Sequence, residues 1–240
     1  MENIDKSSGI NAILSLFTGV TDKSDNEKKE KELSKQFGQL AERLLYGGYF
    51  SINNKIRIYL EEIEFYYHEE EGDLKDPAMY HTNAHQGQSL EYFVPGSLNC
   101  HVSGIDVTFE NEEKKYRASF LIRGYRVERF NDGEWKVKEG KAFEKRSTYI
   151  YQDIIDNIPL DGGGIHVEWI NETMPEKHDV VSEWRRNIPA QEYYDTEKPP
   201  YHKKCGDEHV GTPEKDYFKK GKFWYKKCNR MWNFKKQISR

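Results

Sequence analysis

Apolar residues recur with helical spacing in one region near the start of the chain. The apolar positions there are Leu33, Phe37, Leu40, Ala41, Leu44 and Leu45. This spacing predicts a helix with one buried face, and Gly47 and Gly48 are expected to end it. The charged run from Asp22 to Glu32 has no apolar residue, so it predicts a linker or an exposed helical turn. Residues 1–20 predict a short amphipathic helix or a mobile arm.

The segment from Lys55 to Tyr67 has the clearest strand pattern, but its apolar side changes near Glu61. Ile56, Ile58 and Leu60 share one face, whereas Ile63, Phe65 and Tyr67 fall on the other, because successive side chains in a strand alternate. One explanation is a β-bulge that resets the register and leaves the acidic residues in solvent. The other is that carboxylates such as Glu64 lie on a mostly buried face. The pattern favours the bulge.

Further strands follow at Gly104–Phe109 and at Arg117–Val127. The second carries apolar residues on both faces, which predicts a central strand. The residues Asn131-Asp132-Gly133 predict a turn before a short strand ending at Val137. A short helix around Tyr149–Ile155 and a strand at Ile165–Trp169 complete the predicted elements. We expect an arm and charged linker over residues 1–32 and a single α+β domain over residues 33–240.

The composition argues against a membrane protein and against a disulfide framework. Apolar residues make up 36% of the chain, charged residues 32%, and the mean hydropathy is -0.96. No apolar run approaches the roughly 20 residues of a spanning helix. No secretory signal is recognisable, and the three cysteines are an odd, sparse set. We therefore expect a cytoplasmic protein without a membrane partner.

Positive charge is concentrated in the last forty residues. Residues 201–240 carry a net charge of +8, whereas the preceding two hundred carry -12. Within this C-terminal tract aromatic and basic residues alternate, and such a pattern can stack on bases and contact phosphates. The candidate nucleic-acid-binding residues are Lys219, Lys220, Trp224, Lys226 and Lys227. The alternatives are a terminal strand that pairs with the sheet and exposes its lysines, and a tract that folds back on the acidic body.

A metal site in the same tract is the weaker interpretation. His202, Cys205, His209 and Cys228 are possible zinc ligands, but their spacing matches no common zinc finger. Gly162-Gly163-Gly164 lacks the Lys and Ser/Thr of a phosphate-binding loop. We expect neither a metal ion nor a cofactor.

Several short motifs follow one another in a specific order. The motifs are Leu40-Ala41-Glu42-Arg43-Leu44-Leu45-Tyr46-Gly47, Glu62-Ile63-Glu64-Phe65-Tyr66, Asp76-Pro77 with His81, Phe93-Val94-Pro95-Gly96, and Leu121-Ile122-Arg123. This order resembles that of the alkyladenine (3-methyladenine) DNA glycosylase family, which has an "LA…LLG" helix, an "ETEAY" strand, an acidic-to-His segment, an "F…PG" turn and an "LIRA" strand. The match covers about Leu33 to Val127 and implies an α+β fold with a mostly antiparallel, curved sheet and flanking helices.

The resemblance also implies a role for each matching residue. Glu64 would be the general base that activates water, and Arg123 would orient this water or hold a phosphate. Tyr66 would stack on a base that has been flipped out of the DNA, and His81 would line the base pocket. A carboxylate on an otherwise buried face is costly, and functional sites are where such groups are kept. On this reading the protein excises damaged or modified bases from DNA.

Several family features have no counterpart in this chain. The run from Leu98 to Phe109 contains no Tyr and does not end in Asn, where the family has an aromatic wedge and an Asn that rejects unwanted bases. The acidic residues Glu69-Glu70-Glu71 stand beside the proposed site, where they would repel phosphate. These departures leave a second function open: a non-catalytic module on the same fold that binds nucleic acid or protein.

Overall fold

The computed structural model describes helices and strands in most of the first 137 residues and in shorter stretches beyond. The described residues are 9–20, 25–76, 78–82, 89–137, 147–155, 163–172, 174, 179–183, 185 and 232–237, together with the backbone of 189–194, 217–220 and 223–226. The helices are α1 (Ile10–Leu14), α2 (Asn26–Tyr46) and α3 (Ile150–Ile155), with a 3₁₀ turn at Ser147–Tyr149. No helix in these ranges is long and apolar enough to cross a membrane.

Twelve strands are present in the described ranges, and every pair is antiparallel. The strands are β1 (Gly48–Ile52), β2 (Ile56–Glu69), β3 (Leu98–His101), β4 (Gly104–Thr108), β5 (Tyr116–Asn131), β6 (Glu134–Val137), β7 (Val167–Asn171), β8 (Val180–Glu183), β9 (Pro189–Tyr194), β10 (Tyr217–Lys220), β11 (Phe223–Lys226) and β12 (Asn233–Lys236). Nine of them form a curled sheet in the order β3-β4-β5-β2-β1-β7, to which β6, β12 and β8 add. The prediction of an α+β fold with a curved antiparallel sheet is confirmed.

The long helix α2 covers one side of the curled sheet. Asp25 caps its start by accepting a hydrogen bond from the backbone N–H of Glu27 at 2.9 Å, and Gly47 follows its last turn. The apolar stripe that predicted it, from Leu33 to Leu45, is buried. The helix starts at Asn26, so residues 26–32 are helical, which was one of the two structures that their charge predicted. This part of the helix is mostly exposed, but Lys29 is only 5% exposed and pairs with Glu69 on β2 at 2.9 Å.

Paired bulges in β2 and β5 explain why the apolar side of β2 changes. Leu60 lies opposite Tyr125, Glu62 opposite Gly124, and Ile63 opposite Ile122. Each strand therefore contains one extra residue at this level, Glu61 on β2 and Arg123 on β5, and the register is the same on either side. The predicted bulge is confirmed. Its expected consequence is wrong, because Glu64 is fully buried and not in solvent.

Beyond the bulges the two faces of the sheet differ in chemistry. Ile63 and Phe65 on β2 and Phe120 on β5 point into the apolar core beneath α2. The opposite face, here called the polar face, carries buried polar and aromatic side chains on three neighbouring strands. They are Glu64, Tyr66 and His68 on β2, Arg117 and Ser119 on β5, and Asp106 and Thr108 on β4. This face holds the candidate site.

The two ends of the chain both meet this sheet. Near the N-terminus Phe17 is buried and stacks on Phe37 with ring centres 5.3 Å apart, so residues 10–17 pack on the core. Near the C-terminus β12 pairs with β2 opposite Ile63 and Glu64. Strands β9, β10 and β11 form a separate three-stranded sheet. Strands β10 and β11 of the C-terminal tract therefore form a hairpin that pairs with β9, whereas the terminal-strand alternative predicted pairing with the main sheet.

Candidate functional site

Three of the four side chains that the glycosylase resemblance brings together meet on the polar face. Arg123 Nη2 donates to Glu64 Oε1 at 2.6 Å, and the Tyr66 hydroxyl donates to the same oxygen. Arg123 Nη2 also lies 3.3 Å from the Tyr66 hydroxyl. We call these three residues the Glu64 cluster. The bulge in β5 is what makes the meeting possible, because Arg123 is the extra residue of that strand.

Burial sets the electrostatics of the Glu64 cluster. Glu64 has no exposed surface, Tyr66 is 6% exposed, and the Arg123 side chain is 17% exposed. Burial and the Glu64 carboxylate raise the pKa of the Tyr66 hydroxyl well above its usual value, so it remains a donor. Burial alone lowers the pKa of Arg123, but Tyr66 and Glu64 outweigh burial and raise it. Two donors on one oxygen support negative charge there.

A second arginine, which the sequence did not single out, lies against the same tyrosine. Arg185 donates to Asp76 through Nη1 and Nη2, at 2.5 and 3.3 Å, and both residues are buried. The Arg185 guanidinium lies 5.0 Å from the centre of the Tyr66 ring, which also packs against Met79. Tyr66 therefore contacts both a guanidinium group and an apolar side chain. Arg185 and Asp76 are 109 positions apart, and no local pattern links them.

His81 lies elsewhere on the polar face. Its Nδ1 is 2.7 Å from Glu110 Oε1, and its ring stacks on Phe93 with centres 3.9 Å apart. The same carboxylate group receives a hydrogen bond from Arg117 Nη1 at 2.9 Å, and Arg117 Nε donates to Glu70 at 2.9 Å. We call Arg117, Glu70, Glu110 and His81 the Arg117 cluster. It joins the start of β5 to the residues that follow β2.

The acidic run beside the site is largely neutralised. Glu69 pairs with Lys29, and Glu70 pairs with Arg117, which has no exposed side-chain surface. Only Glu71 of the three residues is exposed. The expectation that this run would repel phosphate therefore rests on one carboxylate rather than three.

The candidate residues of the C-terminal tract are defined by backbone alone or not at all. Lys219 and Lys220 belong to β10, and Trp224 and Lys226 to β11. Lys227 lies outside the described residues, as do the possible zinc ligands His202, Cys205, His209 and Cys228. Across the part of the chain that is described, no three His, Cys, Asp or Glu side chains are grouped to hold a metal ion.

The Glu64 cluster provides a carboxylate with a guanidinium and a phenol on one oxygen, next to an aromatic ring. Such a group can take a proton from water or hold a cation. Comparisons of the chain with protein-family models, with curated proteins and with solved structures each find no match. Functional assignment therefore depends on the residues described above.

Proposed function

We propose that this protein hydrolyses the N-glycosidic bond between a base and its sugar in DNA. Support comes from one observation, the convergence of Arg123 and Tyr66 on a single oxygen of the fully buried Glu64. An ionised carboxylate in such a place is costly unless it is paired, and active sites are where carboxylates with these surroundings recur. The paired bulges give additional support, since bulges are common next to active sites.

Each residue of the Glu64 cluster has a distinct part in the proposed reaction. Glu64 removes a proton from water as the water oxygen bonds to the sugar carbon, and the base departs with the electrons of the broken C–N bond. Arg123 keeps the carboxylate in place through its bond of 2.6 Å. Tyr66 offers its ring to the base. Because Met79 packs against that ring, Met79 and its neighbours must move aside when a base enters.

The second candidate is a non-catalytic module that binds nucleic acid or protein. The engagement of His81 with Glu110 and Phe93 favours it, because a histidine expected beside the base is committed elsewhere. The lack of an aromatic wedge and a final Asn between Leu98 and Phe109 points the same way. Both candidates use the same sheet and differ in whether Glu64 does chemistry.

Base release from short DNA duplexes distinguishes the two candidates. Each duplex carries one alkylated or deaminated purine, and excision is read as strand cleavage at the resulting abasic site. We expect Glu64→Gln to slow release at least about 100-fold, the contribution typical of a positioned acid or base. DNA affinity should stay within about two-fold, because such a change removes the base function and little binding energy. Glu134→Gln, the same change at an exposed position, is the control.

Two outcomes would count against the enzyme. DNA binding by the parent without release of any base in the panel would support the binding module. An equal loss of release in Glu64→Gln and Glu134→Gln would remove Glu64 from the mechanism.

A further inference from the structure

A cleft lies at the far end of the polar face from the Glu64 cluster. Its volume is about 900 Å3, and it is bordered by the end of β2 and by residues 70–75, 89–92 and 112–115. It adjoins the Arg117 cluster, since Glu70 belongs to its wall. Nothing in the proposed hydrolysis uses this cleft.

Negative charge dominates the rim of the cleft. Glu71, Glu91 and Glu112 line it and are exposed. In the described ranges none of these three carboxylates forms an ion pair. Of the two lysines in the lining, Lys75 directs its ammonium group to the backbone carbonyls of residues 69 and 70, at 2.5 and 2.8 Å. The other lysine, Lys115, has its ammonium group 5.9 Å from the centre of the Tyr92 ring. The three exposed carboxylates therefore outnumber the two ammonium groups, and the field at the rim favours cations.

A buried histidine at the floor has one unsatisfied donor. His68 Nδ1 accepts a hydrogen bond from the backbone N–H of Asp76 at 3.1 Å, so the neutral ring carries its proton on Nε2. Nε2 is buried and makes no hydrogen bond, and Glu70 Oε2 lies 3.8 Å away. The side chain is 5% exposed and lines the cleft. Buried donors are nearly always paired in folded proteins, so this one calls for an acceptor from a ligand or water.

The lining of the cleft also includes the ring of Tyr92. The Arg117 guanidinium lies 3.7 Å and the Lys115 ammonium group 5.9 Å from the centre of this ring. An aromatic ring next to exposed carboxylates is a favourable place for an ammonium or guanidinium group. The required ligand thus combines a cation for the rim with a hydrogen-bond acceptor for the floor.

We propose that this cleft binds a basic peptide segment of a partner protein. An arginine or lysine side chain lies among Glu71, Glu91 and Glu112, and a peptide carbonyl oxygen accepts the Nε2–H of His68. A peptide supplies both groups within a few ångströms of each other, whereas a simple polyamine has no acceptor. Recognition at this cleft is independent of hydrolysis at Glu64.

Calorimetric titration with an acetylated and amidated tri-arginine peptide tests the proposal. The peptide should bind at low salt and should weaken as salt rises, because the rim carboxylates are exposed and screened. Each of Glu71→Gln, Glu91→Gln and Glu112→Gln should weaken binding roughly two- to five-fold, the range for an exposed ion pair. Glu134→Gln on β6 should leave binding unchanged. These positions are exposed, so the variants should retain the fold.

The floor is tested separately by NMR and by changing the ligand. Binding should shift the imidazole ¹H–¹⁵N resonance of His68, and spermidine, a cation without a carbonyl, should bind more weakly than the peptide. Spermidine binding as tight as the peptide, with no shift of His68, would overturn the role of the floor. The proposed site would be overturned if the peptide does not bind at low salt. It would also be overturned if a variant with all three glutamates changed to glutamine binds the peptide as tightly as the parent protein does. Salt-independent binding of lactose would assign the cleft to neutral polyols instead.

Discussion

Replacing Arg117 with methionine removes the cation that four groups on different segments share. Its guanidinium donates to the carboxylates of Glu70 and Glu110 and to the backbone carbonyls of residues 90 and 91, at 2.7 to 2.9 Å. Arg117 and Glu110 have no exposed side-chain surface. Methionine fills much of the same volume, so the loss is mainly electrostatic. It leaves a buried carboxylate, Glu110, without its guanidinium partner.

The expected destabilisation is large. Removing one partner of a buried pair costs about 3–5 kcal/mol, because the other charge stays buried. With a slope of about 3 kcal/mol per molar urea, the unfolding midpoint of Arg117→Met should fall by at least about 1 M. Arg117→Lys should also be destabilised, since one ammonium group cannot reproduce the planar fork that reaches four acceptors. Unfolding is followed by far-UV circular dichroism in urea.

Two further variants test whether the loss of the guanidinium beside Glu110 causes the destabilisation. Arg126→Met, at a partly exposed pair with Glu128 whose side chains are 33% and 16% exposed, should cost only about 1 kcal/mol. Adding Glu110→Gln to Arg117→Met should recover part of the loss, because it removes the buried carboxylate that has lost its guanidinium partner. A midpoint for Arg117→Met within about 0.3 M of the parent, at the same slope, would refute this reasoning.

Three further predictions concern the bulge, a buried histidine and the C-terminal tract. In Gly124→Ala the new Cβ would meet the Glu62 Cβ at 3.1 Å, so unfolding free energy in urea should fall by roughly 1–3 kcal/mol; an unchanged value would mean that the bulges adapt. Burial, and after it the charge of Lys75, lowers the pKa of His68 in the folded protein. The unfolded chain therefore protonates this residue at a higher pH than the folded protein does, and stability falls as the pH drops below about 6.5. His68→Asn should therefore lose less stability than the parent between about pH 7.5 and 5.5, and an equal loss would contradict the assignment. If the C-terminal tract binds DNA, changing four of its lysines to alanine should weaken binding and flatten its salt dependence, by up to about 0.9 in log–log slope per lost phosphate contact, whereas an unchanged slope would exclude these side chains. The four positions are Lys219, Lys220, Lys226 and Lys227.

Structural features that depend on residues close together in the sequence were predictable. The helix over Leu33–Leu45, the central strand β5 and the bulge near Glu61 follow from apolar spacing, and all three are present. The turn at Asp132-Gly133 is present too, with both residues at positive φ. In each case neighbouring residues along the chain carry the signal.

The parts of the site that join distant segments were not predictable. Lys29 looked like a solvated charge, yet it is buried against Glu69, forty positions away. The partner of His81 is Glu110, which comes directly after the run that lacks the family's Asn. Such pairs depend on how strands align and on which loop covers them, and a single sequence records neither. Glu64, Tyr66 and Arg123 were predicted to lie together only because the order of the motifs implied that β2 and β5 are neighbouring strands.

The paired bulges place Glu61 and Arg123 outside the regular alternation of side chains in β2 and β5. Deleting Glu61 would leave Leu60 and Ile63 on the same side of β2, because a single residue would then separate them as regular alternation requires. Deleting Arg123 would likewise keep the two faces of β5, yet it would remove the guanidinium from the Glu64 cluster. A deletion in the regular part of β2, such as that of Phe65, would instead turn every later side chain of the strand to the opposite face. The two bulge residues are therefore the positions at which a change in strand length preserves both faces of the sheet.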